Sequence, residues 1–177
     1  MQDPKRFAEY IAISYAEAAP FFPEEKTALT GIPIQKKMYD IPSDPFSILG
    51  LPPAPPLILV TGGSLGAQRI NDLILDSLDE LLPNYQIIHQ VGPANEASIQ
   101  SSAAALITDQ TLRSRYFIYG NLDPATFAAA QAAASLIITR AGSTTLAEIA
   151  LHRKPAIIIP IPEDISHDQR TNAYAYA

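Results

Sequence analysis

The amino-acid sequence predicts an α/β fold, a doubly wound parallel sheet with helices on both faces. Two observations carry this. Short apolar runs alternate with helix-compatible segments along most of the chain, and several runs are unbroken, as in Leu57-Ile58-Leu59-Val60 and Ile157-Ile158-Ile159. A strand that is apolar at every position is buried on both sides, the condition of a parallel sheet sandwiched between helix layers.

The expected strands cover 27–31, 57–63, 86–91, 116–119, 136–140 and 156–160. Between the second and third, Ile70, Leu73, Ile74, Leu78, Leu81 and Leu82 fall on one face of a helix over 68–82. Segments 94–112, 126–134 and 144–153 are rich in Ala and poor in breakers, which suits helices. The repeated βα pattern is that of a doubly wound sheet. The first fifty-odd residues differ. Residues 5–19 fit an amphipathic helix, and Pro42, Pro45, Pro52, Pro53, Pro55 and Pro56 crowd a segment that reads as a semi-rigid linker. The expected organisation is therefore a helix, short strand and Pro-rich linker over 1–56, followed by the sheet domain over 57–177. The helix-compatible run at 172–177 has no closing signal, and both ends read as cuts through a longer protein.

Composition narrows the function. The chain has 177 residues, 47% of them hydrophobic, enough for a real core. Twelve Lys and Arg against 18 acids give a net charge of −6, which argues against a nucleic-acid-binding face. Without cysteine there is no disulfide and no thiolate metal site. No apolar run approaches the ~20 residues of a membrane span, and the start lacks a signal-peptide pattern. A soluble, cytosolic domain is the expectation.

Two strand–turn–helix junctions carry the chemistry. The first is Thr61-Gly62-Gly63-Ser64-Leu65-Gly66-Ala67. Glycines there let a ligand approach main-chain N–H groups, and the helix that follows offers free donors and a positive dipole end. No Lys-Ser/Thr follows, so this is not a Walker A loop, and it does not match G-x-G-x-x-G. A phosphate cradle and a plain connecting turn both fit. The second junction is Arg140-Ala141-Gly142-Ser143-Thr144-Thr145-Leu146-Ala147-Glu148. Ser143 or Thr144 can cap the helix while leaving N–H groups for a diphosphate. Glu148, about one turn in, could accept hydrogen bonds from two ribose hydroxyls. The same residues also make an ordinary, favourable helix start. Two such turns at the carboxyl edge of one sheet, where α/β folds bind ligands, point to a phosphorylated ligand, a nucleotide in particular. A third polar set leaves the last strand at the same edge: His167, Asp168, Gln169 and Asn172. Gln169 and Asn172 share a helical face and, with Asp168, suit sugar hydroxyls. His89 reads as a strand residue and His152 as a charge partner for a helix C-terminus.

Together, 61–67, 140–149 and 167–173 resemble the donor-binding half of the MurG family. These are the UDP-N-acetylglucosamine:lipid I N-acetylglucosaminyltransferases of bacterial peptidoglycan synthesis, in glycosyltransferase family 28. The resemblance implies a Rossmann-like domain forming one half of a GT-B enzyme, with the N-terminal acceptor domain absent. It implies that Ser64, with Gly62, Gly63 and Gly66, meets the diphosphate. Ser143, Thr144 and Thr145 with Gly142 would cradle the phosphates, and Leu122 would present backbone groups to uracil. Glu148 would bind the ribose diol, and Gln169, Asp168 and Asn172 would read the N-acetylglucosamine. Arg140 is a further candidate. Where the family often has Gly-Asn-Pro-Val-Arg, this chain has Gly31-Ile32-Pro33-Ile34-Gln35, so Gln35 offers a neutral donor in place of a fixed charge.

No catalytic residue or metal ligand is assigned and no cofactor is firmly implied; a divalent cation stays open, with nothing in the sequence that supports it. The implied partners are UDP-N-acetylglucosamine and, through the acceptor domain, a lipid-linked acceptor. The implied location is the cytoplasm, peripheral at the inner membrane face. A different GT-B UDP-sugar enzyme, a donor subunit completed by a separate acceptor protein, and a phosphate-binding module unrelated to sugars share these turns.

Overall fold

Every residue of Leu57–Thr61 is buried, and so is every residue of Gln86–Gln90, so these strands form the interior of a sheet, whereas the Ile157-Ile158-Ile159 run, expected to be buried on both sides, begins in an edge strand and leaves Ile157 49% exposed. The computed structural model describes residues 8–62, 67–161 and 168–177, with the side chain of Asp168 outside that description. In chain order the elements are β1 (Ile11–Ile13), β2 (Thr27–Leu29), α1 (Pro45–Leu49), β3 (Leu57–Thr61), α2 (Gln68–Asp76), α3 (Leu78–Leu81), β4 (Gln86–Gln90), α4 (Glu96–Leu106), α5 (Gln110–Arg113), β5 (Tyr116–Tyr119), α6 (Pro124–Ala133), β6 (Leu136–Thr139), α7 (Ser143–His152), β7 (Ala156–Ile158) and α8 (Asp168–Tyr176).

Five strands form one parallel sheet in the order β5-β4-β3-β6-β7. The chain winds outward from β3 through β4 to β5, then returns to the other side of β3 as β6 and continues to β7. The sheet is Rossmann-like, and its switch in strand order lies between β3 and β6. Alternation along the strands feeds two cores. Ile58 and Val60 of β3, Ile87 of β4 and Ile138 of β6 pack with Ile70, Ile74 and Leu78 on one face. Leu57, Leu59, Ile88 and Ile137 pack with Ala130, Ala133 and Ile149 on the other. Each such fully buried aliphatic contributes about 1.5–3 kcal/mol, so this two-sided burial outweighs anything the turns add.

The chain divides into two compact units, 1–35 and 36–177. In the first, β1 and β2 pair in parallel, Ile11 opposite Thr27. The helix expected over 5–19 is replaced, within the described residues, by β1 and a 3-10 turn over Ala16–Phe21. A two-residue alternation at Ile11 and Ile13 finds a strand partner, and Pro20 cannot sustain an α-helix. In the second unit, part of the Pro-rich stretch is helical rather than linker. Asp44 accepts a hydrogen bond from the Ser47 N–H at 3.1 Å, Pro45 opens α1, and Gly50 closes it at φ +64°. α1 packs on α6, and Gln86 Nε2 donates to the Pro52 and Pro55 carbonyls at 2.7 and 2.9 Å.

The helix expected over 68–82 breaks at Ser77, whose hydroxyl donates to the Leu73 carbonyl at 2.9 Å. Leu73, inside α2, is exposed, off the core face it was expected to share. The segment 94–112 likewise splits into α4 and α5, because Asp109 caps a new helix through the N–H groups of Thr111 and Leu112. His152 corrects another expectation. Its ring is buried, and burial together with nearby Lys154 lowers its pKa against a smaller opposing effect of Met38, which disfavours the positive charge expected at the end of α7.

Candidate functional site

Parallel pairing brings the two glycine junctions together. β3 and β6 are hydrogen-bonded neighbours with Thr61 opposite Thr139, so Gly62 and Arg140 leave the sheet side by side at its carboxyl edge. Arg140 Nη1 donates to the Gly62 carbonyl at 3.3 Å, tying one junction to the other. Burial lowers the Arg140 pKa. Gly63, Ser64 and Gly66 lie outside the described residues.

At the second junction the sequence misplaces the cap. Gly142 is the N-cap of α7 and makes no side-chain cap; Ser143 and Thr144 are already helical. A glycine cannot supply the oxygen that a serine would, so the opening N–H groups of α7 are not capped by the N-cap residue. Gly142 has φ −71°, which any residue adopts, and a Cβ there would meet only Thr145 Oγ1 at 3.8 Å. Its missing side chain is required by neither backbone nor packing. What it leaves is clear access to a helix N-terminus, the arrangement that binds phosphate elsewhere. Ser143 and Thr145 are half-buried and Thr144 is exposed.

Glu148 faces inward on α7 and is 8% exposed. Burial raises its pKa, while the adjacent Gln131 amide of α6 pulls it back. Leu122 lies just before α6, with its side chain in the core and its N–H donating to Gln90 Oε1 at 3.2 Å. On α8, Asn172 Nδ2 donates to the Ala141 carbonyl at 3.2 Å, joining the third polar set to the second junction. Gln169 Oε1 accepts from the Ile161 N–H at 3.1 Å. Gln35 is exposed at the end of the first unit, and His167 lies outside the described residues.

The sequence reading passed over three buried polar residues. Gln90 fixes Leu122, Asn71 Nδ2 donates to the Val91 carbonyl at 3.2 Å, and Gln131 is completely buried beside Glu148. The signal for Gln131 was available, since it is the one polar residue in Ala128-Ala129-Ala130-Gln131-Ala132-Ala133-Ala134.

Comparison with known proteins places this geometry. Residues 57–177 match the model of the glycosyltransferase family 28 C-terminal domain. The chain belongs to this family. Among curated relatives, the UDP-N-acetylglucosamine--N-acetylmuramyl-(pentapeptide) pyrophosphoryl-undecaprenol N-acetylglucosamine transferase 2 of Bacillus cereus is 32% identical over 174 residues, covering 97% of this chain and 46% of that protein. The transferase of Thermodesulfovibrio yellowstonii is 35% identical over 172 residues, covering 95% and 45%. The crystal structure of Acinetobacter baumannii MurG superposes with a TM-score of 0.62 at 26% identity, covering 96% of this chain and 44% of that one. The family 28 chain described here thus spans a little under half the length of these relatives. Among the described residues no cluster of three or more His, Asp or Glu could hold a metal ion, and no helix is long and apolar enough to cross a membrane.

Proposed function

We propose that this chain is the donor-binding half of an inverting glycosyltransferase that moves N-acetylglucosamine from UDP to lipid I, forming lipid II for peptidoglycan. The observation that carries the reading is the pairing of two glycine junctions at the switch point between β3 and β6, bridged by Arg140 and backed by the uncapped start of α7. The names of the relatives supply the sugar and the acceptor.

The residue roles are those that the family resemblance implies for a uridine diphosphate. Gly62, Gly63, Ser64 and Gly66 would meet the diphosphate. Ser143, Thr144 and Thr145 present main-chain N–H groups and hydroxyls from the α7 N-terminus. As the bond to the anomeric carbon breaks, negative charge grows on the departing UDP, and donors already fixed in place stabilise it without reorganisation. Glu148 accepts from the ribose hydroxyls, Leu122 reads uracil, and Gln169, Asp168 and Asn172 hold the sugar. This half positions the donor and stabilises the leaving group; activation of the acceptor hydroxyl belongs to the other half. The whole enzyme would work at the cytoplasmic membrane face, with lipid contact made outside these 177 residues.

Calorimetric titration tests this directly. UDP and UDP-N-acetylglucosamine should bind, UDP-galactose more weakly than UDP-N-acetylglucosamine, and NAD not measurably. Tighter binding of NAD than of any UDP compound would overturn the assignment. The chain alone should form no lipid II, and detectable product would refute the division of labour.

A further inference from the structure

A fully buried glutamine in an otherwise alanine-rich helix calls for a reason. Gln131 is 0% exposed, and among the described residues neither its Nε2 nor its Oε1 makes a hydrogen bond of good geometry. A buried amide left unsatisfied costs about 1–3 kcal/mol, and an alanine or leucine in the same place would carry no such cost. α6 packs against α7, and the Gln131 amide lies next to the Glu148 carboxylate. Glu148 is itself 8% exposed, so its carboxylate has little water to orient it.

We propose that Gln131 is a positioning residue for Glu148, its amide steering the carboxylate so that both oxygens meet the vicinal hydroxyls of a bound nucleotide's ribose. This rests on the reading of Glu148 given above. A glutamine suits the task better than a cation would. It donates a hydrogen bond without neutralising the carboxylate, and an ionised carboxylate has about four acceptor sites, enough for one amide and two hydroxyls. Binding of the diol would hold the carboxylate where the adjacent amide reaches it. The alanines around Gln131 permit the close approach of α6, since Ala128, Ala129, Ala130 and Ala133 are all buried.

The test compares UDP with 2′,3′-dideoxy-UDP on the 177-residue chain. The wild type should bind UDP more tightly. Gln131→Met, of similar length and without the amide, should lose roughly tenfold in UDP affinity, a difference of about 1.4 kcal/mol, and nothing for the dideoxy compound. In a Glu148→Ala background the same substitution should have no further effect on either ligand. In the wild type, which needs no substitution to fold, the Gln131 side-chain amide resonance should move on saturation with UDP and stay in place with dideoxy-UDP. Equal losses for both ligands, an undiminished effect in the Glu148→Ala background, or an amide signal that moves alike with both would overturn the positioning role while leaving Glu148 as the ribose ligand. A wild type that binds the two compounds equally would overturn the ribose reading and this inference together.

Discussion

Acidification from pH 8 to pH 5 is expected to destabilise the protein through one imidazole at the centre of the sheet. His89 of β4 is completely buried, with Nδ1 2.7 Å from the Tyr116 hydroxyl of β5. Burial raises the Tyr116 pKa, so the phenol keeps its proton and donates it to Nδ1; the neutral ring then carries its own proton on Nε2, which has no partner among the described residues. Burial lowers the His89 pKa from 6.5 to about 4. A depressed histidine pKa means that the unfolded chain takes up a proton before the folded one does. The stability is therefore complete above pH 6.5 and lost as pH falls towards 4. At about 1.36 kcal/mol per unit, the full interval is worth about 3 kcal/mol, of which about 2 kcal/mol is gone at pH 5. His152 acts with the same sign and Glu148, whose pKa is raised, with the opposite one, so the reading must be a difference between proteins. The comparison is urea unfolding of the wild type and of the double variant His89→Leu/Tyr116→Phe, which replaces both polar partners by apolar groups of similar shape. The wild type should lose about 2 kcal/mol more than the variant between pH 8 and pH 5. Equal pH dependence would refute the claim that a neutral, buried imidazole sits between β4 and β5.

Three further outcomes are expected. Glu148→Ala should weaken UDP binding by about 1–3 kcal/mol, the range for charge-assisted hydrogen bonds, while the thermal melt stays cooperative; calorimetry and circular dichroism check the two halves. Gly142→Ala should leave stability unchanged or slightly raised, because φ −71° suits alanine and the new Cβ meets only Thr145 Oγ1 at 3.8 Å. The same variant should bind UDP less well, since the methyl group stands over the first turn of α7. Gln86→Leu should cost about 1–3 kcal/mol in urea unfolding, because it strands the Pro52 and Pro55 carbonyls that Gln86 now satisfies.

Strands were legible wherever burial is two-sided, because Leu57-Ile58-Leu59-Val60 has one physical solution in an α/β chain. The two junctions of the candidate site were legible as glycine-containing turns after apolar strands, but the cap of α7 was not, because Gly142 and not Ser143 or Thr144 holds that place. Helix breaks were not, because Ser77 and Asp109 act through local hydrogen bonds that the apolar period does not register. β1 was missed for a different reason: the partner that makes Ile11-Ala12-Ile13 a strand lies sixteen residues on, at Thr27. The buried polar residues were the hardest. Gln90 and Gln131 look like surface letters until the fold closes over them.

The most direct measurement is a crystal structure of the chain with UDP-N-acetylglucosamine. The pyrophosphate should lie between the junction after β3 and the first turn of α7, within hydrogen-bond distance of the main-chain N–H groups at Ser143–Thr145, and the ribose diol should sit on Glu148. A nucleotide found away from the β3–β6 edge, or crystals that stay empty at saturating ligand, would contradict the account.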